Sequence, residues 1–258
     1  MGRAKEIVIK IIPSKVANEF VRKTHYSGKV VPNSNLHFGC FLDDKLHGVM
    51  QYGPSINKKG TINLVENTGW SEFIELNRMA FDDYLPKYSE SRCIAISIRL
   101  IKKHAPQIKW IISFADGTQC GDGTIYRASG FKLVNIVDNT ALRINPKNGE
   151  AMHVIQAHHL KISSEFRKWK PFEGKQLKYV YLIDKTCKIN AEVLPFSEID
   201  KQGAGMYKGK KITLQQRRAN LSEEVGLNAN SQLDVGCVTS NTSLAGEVNV
   251  QQGVSKNK

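Results

Sequence analysis

Apolar and polar positions predict strands and helices that alternate along most of the chain. An apolar, β-branched run over residues 109–114 is typical of a fully buried strand, and a stripe formed by Ile94, Ile98 and Ile101 is typical of a helix buried on one face. The other predicted strands span residues 6–12, 36–42, 48–52, 70–81, 131–136, 140–145, 151–156 and 177–183, and the other predicted helices begin at Ser14 and span 125–129. This order predicts an α/β fold with a mixed central sheet and flanking helices.

The strand predicted over residues 70–81 is unusual because polar side chains fall on both of its faces. Alternation places Arg78 on one face with Ile74, Leu76 and Ala80, and Glu75 and Asn77 on the other. A ligand pocket would supply these polar groups with partners. An edge strand, whose polar groups lie in water, explains the pattern equally well.

The strongest candidate for chemistry lies between residues 107 and 131. Asp116 follows the buried strand beside a chain reversal, and Tyr126 lies on a short helix that Gly130 ends. Ligands of open α/β sheets bind beyond the carboxyl ends of the strands, so both side chains could face one pocket. A turn-forming Asp and a half-buried core Tyr are the simpler alternatives.

Two helix ends carry further candidates. His25 and Tyr26, with Lys29 close behind, place donors and bases where the first helix ends, although a solvated helix end has the same pattern. Ser89 and Ser91 are expected to cap the helix over residues 92–104. Free backbone N–H groups at such a start form an anion site, to which Lys87 and Arg92 would add positive charge.

The charge is concentrated in one part of the chain. Thirty-seven basic and twenty-four acidic residues give +13, which favours a polyanionic partner or an anionic cofactor. Residues 213–258 hold four residues of each sign and no aromatic residue, so we expect a folded domain over residues 1–212 followed by a disordered tail over 213–258. With no long apolar run and five scattered cysteines, neither a membrane span nor a disulfide framework is expected, and a reducing cytoplasm suits the chain.

The order of elements resembles the GNAT superfamily of acetyltransferases, and several motifs are similar to the Mom family of bacteriophage DNA-modification enzymes, a divergent branch of it. The similar segments are THYSGK (24–29), HFGCFLDDKLHGVMQYGPS (37–55), SFAD (113–116) and GTIYRASGF (123–131), within a resemblance over roughly residues 5–212. One departure is the turn at residues 87–91, which lacks the glycines with which the superfamily approaches the coenzyme A pyrophosphate.

The resemblance implies a transferase that converts adenine in duplex phage DNA to N6-carbamoylmethyladenine and thereby protects it from restriction, in the cytoplasm of the infected bacterium. Its implied site residues, for catalysis and as iron ligands, are His25, Tyr26, Asp116 and Tyr126. Acetyl-coenzyme A is the implied donor link, with Lys87, Ser89, Ser91 and Arg92 as its binding residues. An ordinary N-acetyltransferase acting on an amine or protein is the alternative, and a basic DNA-binding protein without chemistry is a third.

A stacked duplex hides the adenine amine, so this chemistry requires the base to be extruded into a pocket. Tyr26, Tyr126 and Trp169 are candidates for the lining of that pocket. Positive side chains are candidates for contacts with the DNA phosphates: Lys29, Lys58, Lys59, Arg127, Lys168 and Lys170.

Overall fold

The computed structural model describes residues 2–118, 121–207, 210–213 and 216. Its helices are α1 (Ser14–Thr24), α2 (Lys58–Thr61), α3 (Ser89–His104), α4 (Thr124–Ala128), α5 (Val154–His159), α6 (Ser163–Phe166) and α7 (Ser197–Lys201), with 3₁₀ turns at Arg3–Glu6 and Ile62–Leu64. Its strands are β1 (Val8–Ile11), β2 (Leu36–Leu42), β3 (Lys45–Gly53), β4 (Phe73–Phe81), β5 (Trp110–Asp116), β6 (Lys132–Asp138), β7 (Leu142–Ile144), β8 (Ala151–His153), β9 (Lys175–Leu182), β10 (Met206–Tyr207) and β11 (Lys210–Lys211).

Seven strands form one mixed sheet in the order β1-β2-β3-β4-β5-β9-β6. Only β4 and β5 pair in parallel, and α3 makes the crossover between them, while the other neighbours are antiparallel. The predicted α/β fold with a mixed central sheet is therefore confirmed. Since α3 returns antiparallel to both strands, its first turn lies at the same end of the sheet as Asp116.

The two central strands separate before they end. Residues Phe73–Leu76 pair with Trp110–Ser113, and no pairing continues beyond that point. A bulge leaves Asn77 without a partner on β3, because Gln51 lies opposite Arg78 and Tyr52 lies opposite Leu76. The edge-strand explanation of the polar pattern is therefore wrong. The predicted grouping of side chains is wrong as well, because the bulge moves Arg78 off the face that Leu76 occupies.

The sheet buries a different cluster on each face. Met50 and Tyr52 belong to the cluster packed beneath α3, where the Tyr52 hydroxyl lies 2.6 Å from that of Ser97. Val49 belongs to the cluster with Ala17 and Val21 of α1, as alternation along β3 requires. We call these sides the α3 face and the α1 face.

Residues 139–174 connect β6 to β9, and we call them the β6–β9 connection. They hold the β7–β8 hairpin and helices α5 and α6 around a small core of Ala157, Phe166 and Trp169. Trp169 is 7% exposed, so the prediction that it lines a base pocket is wrong. The strand predicted over residues 151–156 ends at His153, because His153 and Gln156 form a capping box that starts α5.

The tail predicted over residues 213–258 lies, apart from Thr213 and Gln216, outside the described residues. Within the described part, every helix is too short or too polar to cross a bilayer.

Candidate active site

Three of the four predicted site residues meet at the carboxyl end of β5. The Tyr26 hydroxyl donates to Oδ2 of Asp116 over 3.3 Å, although the two residues are 90 positions apart in the chain. The rings of His25 and Tyr26 lie 4.3 Å apart, and Tyr26 is 50% exposed. Asp116 continues the alternation of Ile112 and Phe114, so this cluster lies on the α1 face.

Backbone geometry explains why α1 delivers His25 and Tyr26 to this place. The N–H of His25 still donates to the carbonyl of Val21 at 2.9 Å, but His25 itself is extended, so the helix ends there. Gly28 takes the left-handed conformation with φ +59°, and its N–H donates to the carbonyl of His25. The resulting turn directs both rings towards the end of β5.

The imidazole of His25 is neutral and its tautomer is set by its neighbours. Burial, followed by the positive charge of Arg78, lowers the pKa of His25 to about 4, and the charge of Asp116 opposes this shift. Nδ1 accepts the N–H of Ser27 at 3.2 Å. The proton of the neutral ring therefore lies on Nε2, and His25 presents an N–H donor rather than a base.

The carboxylate of Asp116 is held by the turn that follows the strand. Its Oδ1 accepts from both the N–H and the hydroxyl of Thr118, and its Oδ2 accepts from Tyr26. The N–H of Gly117 donates to the carbonyl of Lys175 at 2.8 Å and ties the turn to β9. The carboxylate thus has a fixed direction and remains partly exposed.

Tyr126 packs on the α3 face, away from the other three residues. Its ring lies 5.4 Å from that of Tyr179, and its phenol contributes to raising the pKa of Tyr52, which burial raises most. Tyr52 lies opposite Leu76 and Tyr179 lies opposite Ser113, the last pair that joins β4 to β5. Tyr126 therefore lies over the point at which these strands separate.

Asn77 and Arg78 of β4 make hydrogen bonds with residues outside the strand. Asn77 accepts from the Ser34 hydroxyl at 3.0 Å, and Arg78 donates to the carbonyl of Lys29 at 3.0 Å. Burial raises the pKa of Glu75, while hydrogen bonds from Ser55 and Asn77 oppose that shift. This cluster adjoins the site and supports Arg78 beside His25.

Sequence reasoning missed a contribution from the β6–β9 connection. Lys29 donates to Oε1 of Gln156 at 2.8 Å, and the same oxygen accepts the N–H of His153. Burial lowers the pKa of His153, and the charges of Lys29, Arg78 and Asp116 also act on it. A histidine followed three positions later by glutamine was the available signal, but histidine is a rare helix cap.

The residues predicted to bind coenzyme A do not form a side-chain site for pyrophosphate. Ser89 is buried and donates to the carbonyl of Pro86, Ser91 donates to the carbonyl of Tyr88, and Arg92 donates to the carbonyl of Lys5. Lys87 is exposed, on the loop before α3. What remains suited to a phosphate is the backbone at the first turn of this 16-residue helix.

The donor set predicted for iron does not fit a metal centre. Tyr126 lies on the other face from Asp116, and both oxygens of Asp116 already accept hydrogen bonds. Across residues 2–118 and 121–207, no three His, Cys, Asp or Glu side chains come close enough to hold an ion together.

The six cations predicted to contact DNA are differently engaged. Lys59, Lys168 and Lys170 are exposed, and Lys58 lies 5.6 Å from the ring of Trp70. Lys29 is held by Gln156. Arg127 forms an ion pair of 3.1 Å with Asp122, whose side chain is fully buried. Contact between these residues and phosphate stays a prediction.

The protein belongs to the α/β class, because it has a mixed sheet with flanking helices. Its two central strands separate, and an open polar site lies at their ends. Two solved structures to which the chain is similar are acetyltransferases. The Bacillus subtilis acetyltransferase in complex with CoA is 12% identical, with 68% of this chain and 98% of that chain covered and a TM-score of 0.42. A GNAT family acetyltransferase from Elizabethkingia anophelis with acetyl-CoA bound is 11% identical, with 68% and 97% covered and a TM-score of 0.42.

The particular family follows from the sequence match. The family model of the Mom protein family matches residues 6–198, and the chain belongs to this family, as the motifs predicted. It is 34% identical over 159 residues to the methylcarbamoylase Mom of Escherichia phage Mu. That match covers 61% of this chain and 64% of the relative, which is slightly less than two thirds of the relative's length.

Proposed function

We propose that this protein is a transferase that adds a carbamoylmethyl group to N6 of adenine in duplex DNA. Membership of the Mom family and the similarity to a methylcarbamoylase support the reaction. The positive charge of +13 supports a polyanionic substrate. The DNA would be that of a phage inside its bacterial host, protected in this way from restriction.

The observation that carries this proposal is the contact between Tyr26 and Asp116 with His25 beside them. These side chains come from the exit of α1 and the end of β5, and they meet at a partly exposed place. The group combines a carboxylate acceptor, an N–H donor and an exposed aromatic face. Adenine presents complementary groups, namely the N6 amine as donor, the ring nitrogens as acceptors and a flat surface for stacking.

Each residue then has a specific role. Asp116 accepts the proton that N6 loses as the amine reacts, since the lone pair of this amine is delocalised and the amine needs a base. His25 donates from Nε2 to a ring nitrogen of the base, because its Nδ1 is already an acceptor for Ser27. Tyr26 orients the carboxylate through its hydroxyl and offers its exposed ring to the extruded base.

Tyr126 and acetyl-coenzyme A belong to the other face of the sheet in this proposal. The gap beyond Leu76 and Ser113 opens between Tyr126 and the first turn of α3. The backbone of that turn would hold acetyl-coenzyme A, which supplies acyl-group chemistry when bound, and the phenol of Tyr126 would serve as a proton donor on this side. Iron has no role in this proposal, because the four predicted side chains do not form a set of metal ligands.

The proposal is tested by expressing the protein in bacteria and analysing plasmid DNA. Resistance to several restriction enzymes with adenine in their sites, and a modified deoxyadenosine with the mass of one added carbamoylmethyl group, are expected. Asp116→Asn should lower the modified fraction by about 10²- to 10⁴-fold, as expected for loss of a general base. Asp83→Asn, at an exposed position, is the matched control and should keep full activity.

Unmodified adenine in cells that contain the folded protein would overturn the proposal. Full activity of Asp116→Asn, with melting temperatures of both variants within a few degrees of the original, would leave the reaction but remove the assigned base. Calorimetry with acetyl-coenzyme A distinguishes the N-acetyltransferase alternative, which requires a tight site and no DNA adduct.

A further inference from the structure

The β6–β9 connection carries an open cleft outside the site described above. The cleft has a volume of about 650 Å³. Six residues line it: His158, His159, Lys161, Ser163, Ser164 and Arg167. All six side chains can donate hydrogen bonds, and Lys161 and Arg167 are permanent cations at neutral pH.

The charge of the whole connection has the same sign as the cleft. Residues 139–174 contain six Lys and Arg against three Glu, and three of the seven histidines of the protein. Lys161, Arg167, Lys168 and Lys170 are exposed, and the buried pair Phe166 and Trp169 fixes the helix and turn that carry them. The positive groups are thus displayed on a folded support rather than on a loose loop.

Helix α5 links the cleft to the residues beside the candidate active site. Helix α5 begins directly after His153, whose N–H donates to the same Gln156 oxygen as Lys29 does, and ends at His159. Five residues of helix separate His153 from His158, which is about 7.5 Å at 1.5 Å per residue. Phosphates follow one another at about 3.4 Å of axial rise along one DNA strand, so this span corresponds to roughly two nucleotides.

From this geometry we infer that the cleft binds the DNA backbone beside the extruded adenine, as a phosphodiester subsite roughly two nucleotides away. This inference rests on the proposed function. The two charged side chains pair with one or two phosphates, and the serine hydroxyls and imidazoles complete the hydrogen bonds. The hydrogen bond between Lys29 and Gln156 fixes α5, and with it the cleft, relative to the candidate active site. Binding of the DNA backbone in the cleft and placement of the adenine in the site therefore occur together.

The test measures binding of the full chain to a duplex oligonucleotide at several salt concentrations. The variant Lys161→Gln/Arg167→Gln removes two cations from the cleft. Each lost phosphate contact should reduce the slope of log K against log salt by about 0.9, and the pair by roughly 2. At ~0.15 M salt this slope change corresponds to roughly 30-fold weaker binding.

Lys102→Gln/Lys103→Gln is the matched control, because it removes the same charge from exposed positions in the last turn of α3. If this control reduces the slope as much as the cleft variant does, the effect is one of net charge and the inference is overturned. A cleft variant with an unchanged slope overturns it as well, while adenine modification by the original protein leaves the proposed function intact. If the original protein modifies no adenine, the proposed function itself fails.

Discussion

Replacing Arg127 by alanine tests whether this residue contacts DNA phosphate or stabilises the fold. Its guanidinium pairs with Asp122 at 3.1 Å and with the Thr124 hydroxyl at 2.7 Å, and the side chains of Arg127 and Asp122 are 13% and 0% exposed. Removal of one partner of a buried ion pair costs about 3–5 kcal/mol, because the other charge stays buried. Arg127 also lies 5.5 Å from the ring of Phe196, a contact that alanine loses.

The cost should appear as a lower melting temperature. For a protein of this size, 1 kcal/mol corresponds to roughly 2–4 °C, so Arg127→Ala should melt about 6–20 °C lower. The assay is calorimetric or spectroscopic unfolding, with urea titration to confirm the free energy of unfolding. The double variant Asp122→Asn/Arg127→Ala is the control, and it should recover part of the loss because no carboxylate is left buried.

A melting temperature within 2 °C of the original would refute this reasoning. If the same variant reduced the slope of DNA binding against salt by about 0.9, Arg127 would instead contact phosphate, as the sequence predicted.

Two further predictions concern the framework around the site. Gly123→Ala should destabilise the protein by about 2–5 kcal/mol, because a Cβ there collides with the ring of Tyr179 and φ is +76°. Gly149→Ala, at φ +73° with open space around it, should cost only about 1 kcal/mol, and equal losses in urea unfolding would contradict the role of Tyr179. Because burial raises the pKa of Glu75, the folded state binds its proton more tightly than the unfolded state does. Stability should therefore fall as pH rises from about 4.5 through that raised pKa. Glu75→Gln should remove this fall, whereas Glu66→Gln, at an exposed position, should not; an identical pH profile for Glu75→Gln and the original protein would exclude the effect.

The sequence by itself determined the elements and the identity of the chemical groups. Buried strands and amphipathic helices follow from local periodicity, so β5 with its terminal Asp116 and α3 with its apolar stripe were predictable. The exit of α1 at His25 and Tyr26 was predictable for the same reason. The motifs also identified the family, because several segments match at once.

Tertiary structure decided how these groups are arranged. The bulge at Asn77 depends on pairing with β3, and it changes the face on which Arg78 lies. The alternation of apolar and polar residues within β4 alone does not predict this change. Tyr126 lies on the other face of the sheet from Asp116 because it packs against Tyr179, which comes from a distant strand. The core of the β6–β9 connection buries Trp169 and brings His153 to the site. These features arise from contacts between residues far apart in the chain, and a short stretch of sequence carries no record of such contacts.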